Sequence, residues 1–204
     1  MTASQIVLVD ANVLFSRTLR DWVALLHIKS KGSVFRARYT EDIMAEVIHS
    51  LRRTHPTWPG QTILAIRRRL EGAFEGGLVE KYEIDPEFSG KDPFDAHVHS
   101  AALACGAHMI LTDNGRDLLP TGTDENALAY EIWTPDDFFM LVNETAPELV
   151  REVTAFQLAY FMEGSDEVDL PEALRRAGAP HFALCVAHHL QSIPVPTTLR
   201  GNHR

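Results

Sequence analysis

The sequence predicts an α/β fold, a parallel sheet between layers of helices, followed by a tail built only of helices. Three observations carry this. Short apolar, β-branched runs such as Gln5–Val9 and His108–Thr112 alternate with longer segments of helical periodicity, the order that builds parallel sheets. Those runs are apolar at successive positions, as strands buried on both faces are. Beyond about Asn143 no strand pattern remains, so residues 1–143 form the α/β domain and 144–204 a helical C-terminal extension.

Each element has a local cause. Gln5–Val9 is a buried strand ending at Asp10-Ala-Asn12, and Val13 to about Lys31 carries Leu14, Leu19, Trp22, Val23 and Leu26 at helical spacing. Lys31-Gly32 stops that helix. Thr40 is the N-cap of a helix from Glu41 to about Arg53, with acids in its first turn. His55-Pro-Thr-Trp-Pro-Gly60 breaks it, Gln61–Phe74 is the next helix, and Leu78–Ile84 is a predicted strand. Lys91-Asp92-Pro93 hands over to a helix from about Phe94 to Cys105, which Gly106 ends. His108–Thr112 is a strand leading into Asp113-Asn-Gly-Arg-Asp117, and Ala129–Trp133 is a third apolar run. Thr134-Pro-Asp-Asp137 opens a helix with Pro at its first position and an acid three residues after the cap. In the tail, Pro147–Met162, Pro171–Ala177 and Pro180–Gln191 are helical, with Gly164–Asp169 as the expected joint.

The 204 residues are 45% hydrophobic and 23% charged, the balance of an ordinary globular chain. No apolar run approaches the roughly 18–20 residues that cross a bilayer, and no secretory signal is expected at the N-terminus. Cytoplasm is therefore the expected compartment. Cys105 and Cys185 are read as two reduced core thiols, although the sequence leaves a bridge between them open. The net charge of −9 argues against gripping phosphate, but the charge is polarised. Residues 1–70 carry 11 Lys and Arg against 5 Asp and Glu, a net of +6, and the remainder 8 against 23, a net of −15. A basic first part can follow a phosphate backbone; an acidic remainder can hold metal or attract a basic partner.

In an open parallel sheet, ligands bind beyond the carboxyl ends of the strands. Asp10 follows the first strand, Asp113 and Asp117 a later one, Asp95 starts the helix between, and Glu46 lies one turn inside the helix capped by Thr40. Gathered acids repel one another unless a cation neutralises them, and hard oxygen donors suit Mg²⁺ or Mn²⁺. Phosphodiester hydrolysis is the natural chemistry of such a centre. Asp92, Asp113 and Asp136 can equally serve as caps, whereas Asp10, flanked by Val9 and Ala11, needs a partner.

The segments IVLVDANVL, TEDIMAEVI, DPFDAHVHSAALACGAHMILTDNGRDLLP and EIWTPDDFFMLV resemble the PIN-domain nucleases, in particular the VapC-like toxin branch. The resemblance covers roughly residues 5–142, and the tail is similar to a helical extension that some members carry. The order and spacing of the motifs carry it, not any one of them. It implies a PIN-like three-layer α/β/α sandwich and an endoribonuclease using Mg²⁺ or Mn²⁺. Carried over by position, Asp10, Glu46, Asp95 and Asp117 are the catalytic acids, and Asp10, Asp95 and Asp117 or Asp113 the metal ligands. Asn12, Thr112 and Asn114 are supporting polar residues. Which of Asp113, Asn114 and Asp117 completes the site stays open, because Asp113 is an extra acid; Leu118 stands where the family has Phe.

The resemblance also implies an RNA substrate, a cognate antitoxin protein and a homodimer. Arg17, Arg20, Arg36, Arg38, Arg52, Arg53 and Arg67–Arg69 are the candidates for gripping RNA. The alternative is a catalytically weak PIN-like module that binds RNA or a partner protein. A haloacid-dehalogenase-type phosphatase needs an acid where Asn12 stands. Zinc is disfavoured because His97 and His99, like His188 and His189, lack ligand spacing.

Overall fold

The centre of the sheet is β1 (Gln5–Val9), whose Val7, Leu8 and Val9 have no exposed surface. Successive strand residues point to opposite faces, so burial of all three means that both sides of the sheet are covered. The computed structural model describes residues 4–118, 128–163 and 169–193. Within them β2 (Phe35–Arg38), β3 (Met109–Leu111) and β4 (Glu131–Trp133) join β1 in a parallel sheet of order β2-β1-β3-β4. Val7 lies level with Ala37 on one side and Met109 on the other, and Met109 with Glu131. The carboxyl ends of all four strands therefore share one edge.

The single helix expected after Asp10 is two, α1 (Ala11–Phe15) and α2 (Arg17–Ser30), jointed at Ser16. Arg20 makes the joint tolerable, because its guanidinium donates to the orphaned carbonyls of Leu14 and Phe15 at 3.1 and 3.5 Å. Lys31, left-handed at φ 52°, stops α2 at the expected place. β2 is a strand that the sequence reading did not include. It alternates buried Phe35 and Ala37 with Arg36 and Arg38, the period-2 pattern of a strand. The strand expected over Leu78–Ile84 does not form: only Leu78 pairs, in an isolated bridge with Tyr39. Beyond it the chain finds no neighbour to share a ladder.

Thr40 caps α3 (Glu41–Thr54), its Oγ1 accepting from the Ile43 N–H at 3.0 Å, and α4 (Gly60–Ala73) packs back on α3. The helix expected from Phe94 opens instead as a 3-10 turn, Pro93–Asp95, before α5 (Ala96–Cys105), which ends at left-handed Gly106. α6 (Gly115–Leu118) follows β3. α7 (Pro135–Thr145) is capped by Thr134, which accepts from the Asp137 N–H and donates to its carboxylate.

The tail contributes α8 (Pro147–Glu163), α9 (Leu170–Arg176) and α10 (Pro180–Ser192). It joins the same apolar cluster as the sheet. Phe182 of α10 meets Trp22 of α2 edge-on and Phe139 of α7, both with centroids at 4.9 Å. The joint expected at Gly164–Asp169 lies outside the described residues except for Asp169, whose carboxylate caps α9 through the Glu172 N–H. Cys105 and Cys185 are free, half-buried thiols. Among the described residues no helix is long and apolar enough to cross a membrane.

Candidate active site at the carboxyl edge of the sheet

Asp10 leaves β1 as the N-cap of α1 and is 9% exposed. Its Oδ1 accepts from the Ala11 N–H at 2.6 Å, and its Oδ2 from Asn12 Nδ2 and the Thr112 hydroxyl, each at 2.8 Å. A carboxylate has about four lone-pair positions, so these three donors leave one direction open. Asn12 ties the neighbouring loop in as well. Its Nδ2 reaches Thr112 Oγ1 at 2.9 Å and its Oδ1 accepts from the Asp113 N–H at 3.1 Å. Thr112 Oγ1 also accepts from the Asn114 N–H at 3.1 Å. The loops after β1 and β3 are thus stitched together around one buried acid.

Burial pushes the Asp10 carboxyl above its ordinary value; Thr112 and the Ala11 N–H oppose this, Glu46 reinforces it, and His97 opposes it. Three neutral donors do not replace the lost hydration of a full charge. Glu46, on α3, faces the site half-exposed and accepts from His97 Nε2 at 2.8 Å. Burial disfavours a charged His97, but the hydrogen bond and charge of Glu46, with Asp42 and Asp10, raise its affinity for a proton overall. His97 Nδ1 is buried without a hydrogen-bond partner among the described residues. In the sequence, His97 is weighed only as half of a zinc pair with His99, which its spacing rules out. Its place in the first turn after Asp95 is the one signal that linked it to the acids.

The other expected residues fall as follows. Asp95 is half-buried at the junction of the 3-10 turn and α5. α5 runs back to the start of β3, so its first turn lies at the carboxyl edge. Asp113 is exposed, with Oδ1 about 4.0 Å from where a side chain on Gly178 would begin. Asp117 belongs to α6, and its side chain lies outside the described residues. Among the described residues no group of three His, Cys, Asp or Glu side chains is placed to hold a metal ion. His97 and His99 diverge as expected, His99 turning to Tyr130 at 2.6 Å and Asp85 at 3.4 Å.

The arginines divide by what they touch. Arg20, Arg38 and Arg52 donate to backbone carbonyls, those of Leu14 and Phe15, Gly76, and Trp58. Arg67 is paired with Glu41 and Glu71. Arg36, Arg53, Arg68 and Arg69 are exposed. Arg17 is 68% exposed, and with Arg20 and Arg69 it surrounds the single carboxylate of Asp21. That is three guanidiniums to one acid, close to the end of α1.

No family model, curated protein or solved structure matches this chain.

Proposed function

We propose that the chain is a PIN-like, metal-dependent hydrolase, an endoribonuclease that cuts RNA phosphodiester bonds as the toxin of a toxin–antitoxin pair. The observation that carries this reading is Asp10: a buried acid at the carboxyl edge of a parallel sheet, held by neutral donors and faced by a second acid, Glu46. An acid in that setting calls for a cation. The donor chemistry fits a hard one, since the groups at this edge offer carboxylate oxygens and no thiolate. Asp10 and Asp95, with Asp117 or Asp113, would hold Mg²⁺ or Mn²⁺, which when bound lowers the pKa of water and stabilises charge on a phosphoryl group.

The remaining work belongs to the chain's own groups. Asn12 and Thr112 fix the rotation of the Asp10 carboxylate, leaving its open direction on Oδ1. Glu46, half-exposed, orients the attacking water and takes its proton. Arg17 and Arg69, on the surface near α1, hold the flanking RNA backbone. The net −15 carried after residue 70 suits a basic antitoxin segment, and a homodimer in the cytoplasm completes the reading.

The test is Mn²⁺-dependent cleavage of RNA by the wild type, Asp10→Asn and Asp95→Asn. Both variants are expected to lose at least about 100-fold in rate while keeping their circular dichroism. Undiminished cleavage by folded Asp10→Asn contradicts the reading. RNA binding without cleavage by the wild type would instead leave the PIN-like binding module.

A further inference from the structure

Glu46 stands on α3 with its side chain half-exposed, and a glutamate left to water samples several rotamers at little cost. The contact that fixes it comes from α5, where His97 Nε2 lies 2.8 Å from Glu46 Oε1. A carboxylate only accepts, so Nε2 carries the proton and donates. Asp42, one turn earlier on the same face of α3, is near enough to act on His97. It is engaged elsewhere, since its Oδ2 accepts from the Tyr82 hydroxyl. The donor of His97 goes to Glu46.

The ring that makes this bond is poorly compensated for its own burial. The His97 side chain is 13% exposed, and its Nδ1 is buried without a hydrogen-bond partner among the described residues. An imidazole with one nitrogen unpaired is a costly way to fill space that an apolar side chain would fill. Packing therefore does not account for it. What the ring supplies is one rigid donor aimed at Glu46. Both groups also lie close enough to Asp10 to act on its charge, in opposite senses. Resting on the metal-dependent hydrolase reading, we infer that His97 is a positioning residue: its Nε2–H pins one oxygen of Glu46, so that the other is presented to the attacking water. His97 acts through Glu46 and takes no proton from the water. A general base works only within hydrogen-bond reach of the proton it takes, and a misplacement of about 1 Å can cost roughly 100-fold in rate.

The test compares the full chain as wild type, His97→Gln and His97→Asn, two variants that carry the same amide at different reach. The Gln amide nitrogen extends to the place of Nε2, while the Asn amide stops at that of Nδ1 and cannot meet Glu46. In Mn²⁺-dependent RNA cleavage, His97→Asn should lower kcat about 10–100-fold with little change in KM. His97→Gln should recover most of that loss. The contact is read separately in metal-free protein, by long-range proton–nitrogen NMR of the imidazoles at a pH where they are neutral. The wild type should show a ring locked with its proton on Nε2, absent from His97→Gln and released in Glu46→Ala. Cleavage by His97→Asn at the wild-type rate overturns the inference. So does an equal loss in folded Gln and Asn variants, a loss carried by KM instead of kcat, or a ring indifferent to Glu46→Ala. All of these leave the hydrolase reading standing. No cleavage by the wild type removes that reading and the role of His97 together, even where the ring is locked.

Discussion

Two acids of this protein are buried to the same degree and treated in opposite ways. Asp10 is 9% exposed and Asp136 is 7% exposed. Asp136, on α7, turns both oxygens on the start of α10. Its Oδ1 accepts from the Phe182 N–H at 2.9 Å, and its Oδ2 from the His181 N–H at 3.2 Å and contacts His181 Nδ1 at 2.7 Å. α10 has no side-chain cap of its own, so the orphan N–H groups and positive end of a 13-residue helix meet a carboxylate from elsewhere in the chain. Asp10 caps only the five-residue α1, through one N–H, and faces the negative Glu46. The fold itself compensates the charge of Asp136. It meets that of Asp10 with neutral donors alone.

The largest effect that tests this contrast is on stability. Asp136→Ala strands the first N–H groups of α10 against the core, and should lower unfolding free energy by about 2–3 kcal/mol in urea titrations. A loss below about 0.5 kcal/mol would mean that the tail is held by its apolar contacts alone.

A smaller effect, read in its pH dependence, is expected at Asp10. In metal-free protein Asp10→Asn sets an amide N–H against donors that now reach a carboxylate oxygen, at a cost of about 1 kcal/mol. It also removes a charge that burial disfavours, so its stability relative to the wild type should improve as pH rises. The sign follows from linkage. Burial raises the folded-state pKa above the ordinary 3.8, so the protonated acid is favoured in the folded chain. Its contribution is fully present below about pH 4 and is lost as pH rises through the folded value. The stability of the Asn variant relative to the wild type should therefore rise on going from pH 4 to 7. A difference of equal size at both pH values would assign it to something other than the charge.

How much of this was legible in the sequence depends on how local the cause was. β1, β3 and the Thr40 and Thr134 caps follow from adjacent residues, and all form where the sequence places them. β2 was legible in principle, since Phe35-Arg-Ala-Arg38 alternates, but its two arginines disguise a half-covered edge strand. Leu78–Ile84 carries a strand-like composition, yet pairing is not a property of one segment, and only Leu78 enters a bridge. The same limit applies to the site. Asp10 could be singled out from Val9 and Ala11 alone, because a buried acid must be answered. That His97 answers Glu46, 51 residues away, depends on how α3 and α5 meet. The caps behave likewise: Asp137 serves its own helix, while Asp136 serves one 45 residues on.

The central claim, that the charge of Asp10 is left for a cation and that of Asp136 is not, is tested most directly by calorimetric titration of Mn²⁺ into the wild type, Asp10→Asn and Asp136→Asn. The wild type and Asp136→Asn should bind Mn²⁺ alike, and Asp10→Asn should bind it at least about 10-fold more weakly. Equal binding by the wild type and Asp10→Asn, or none by the wild type, would contradict it.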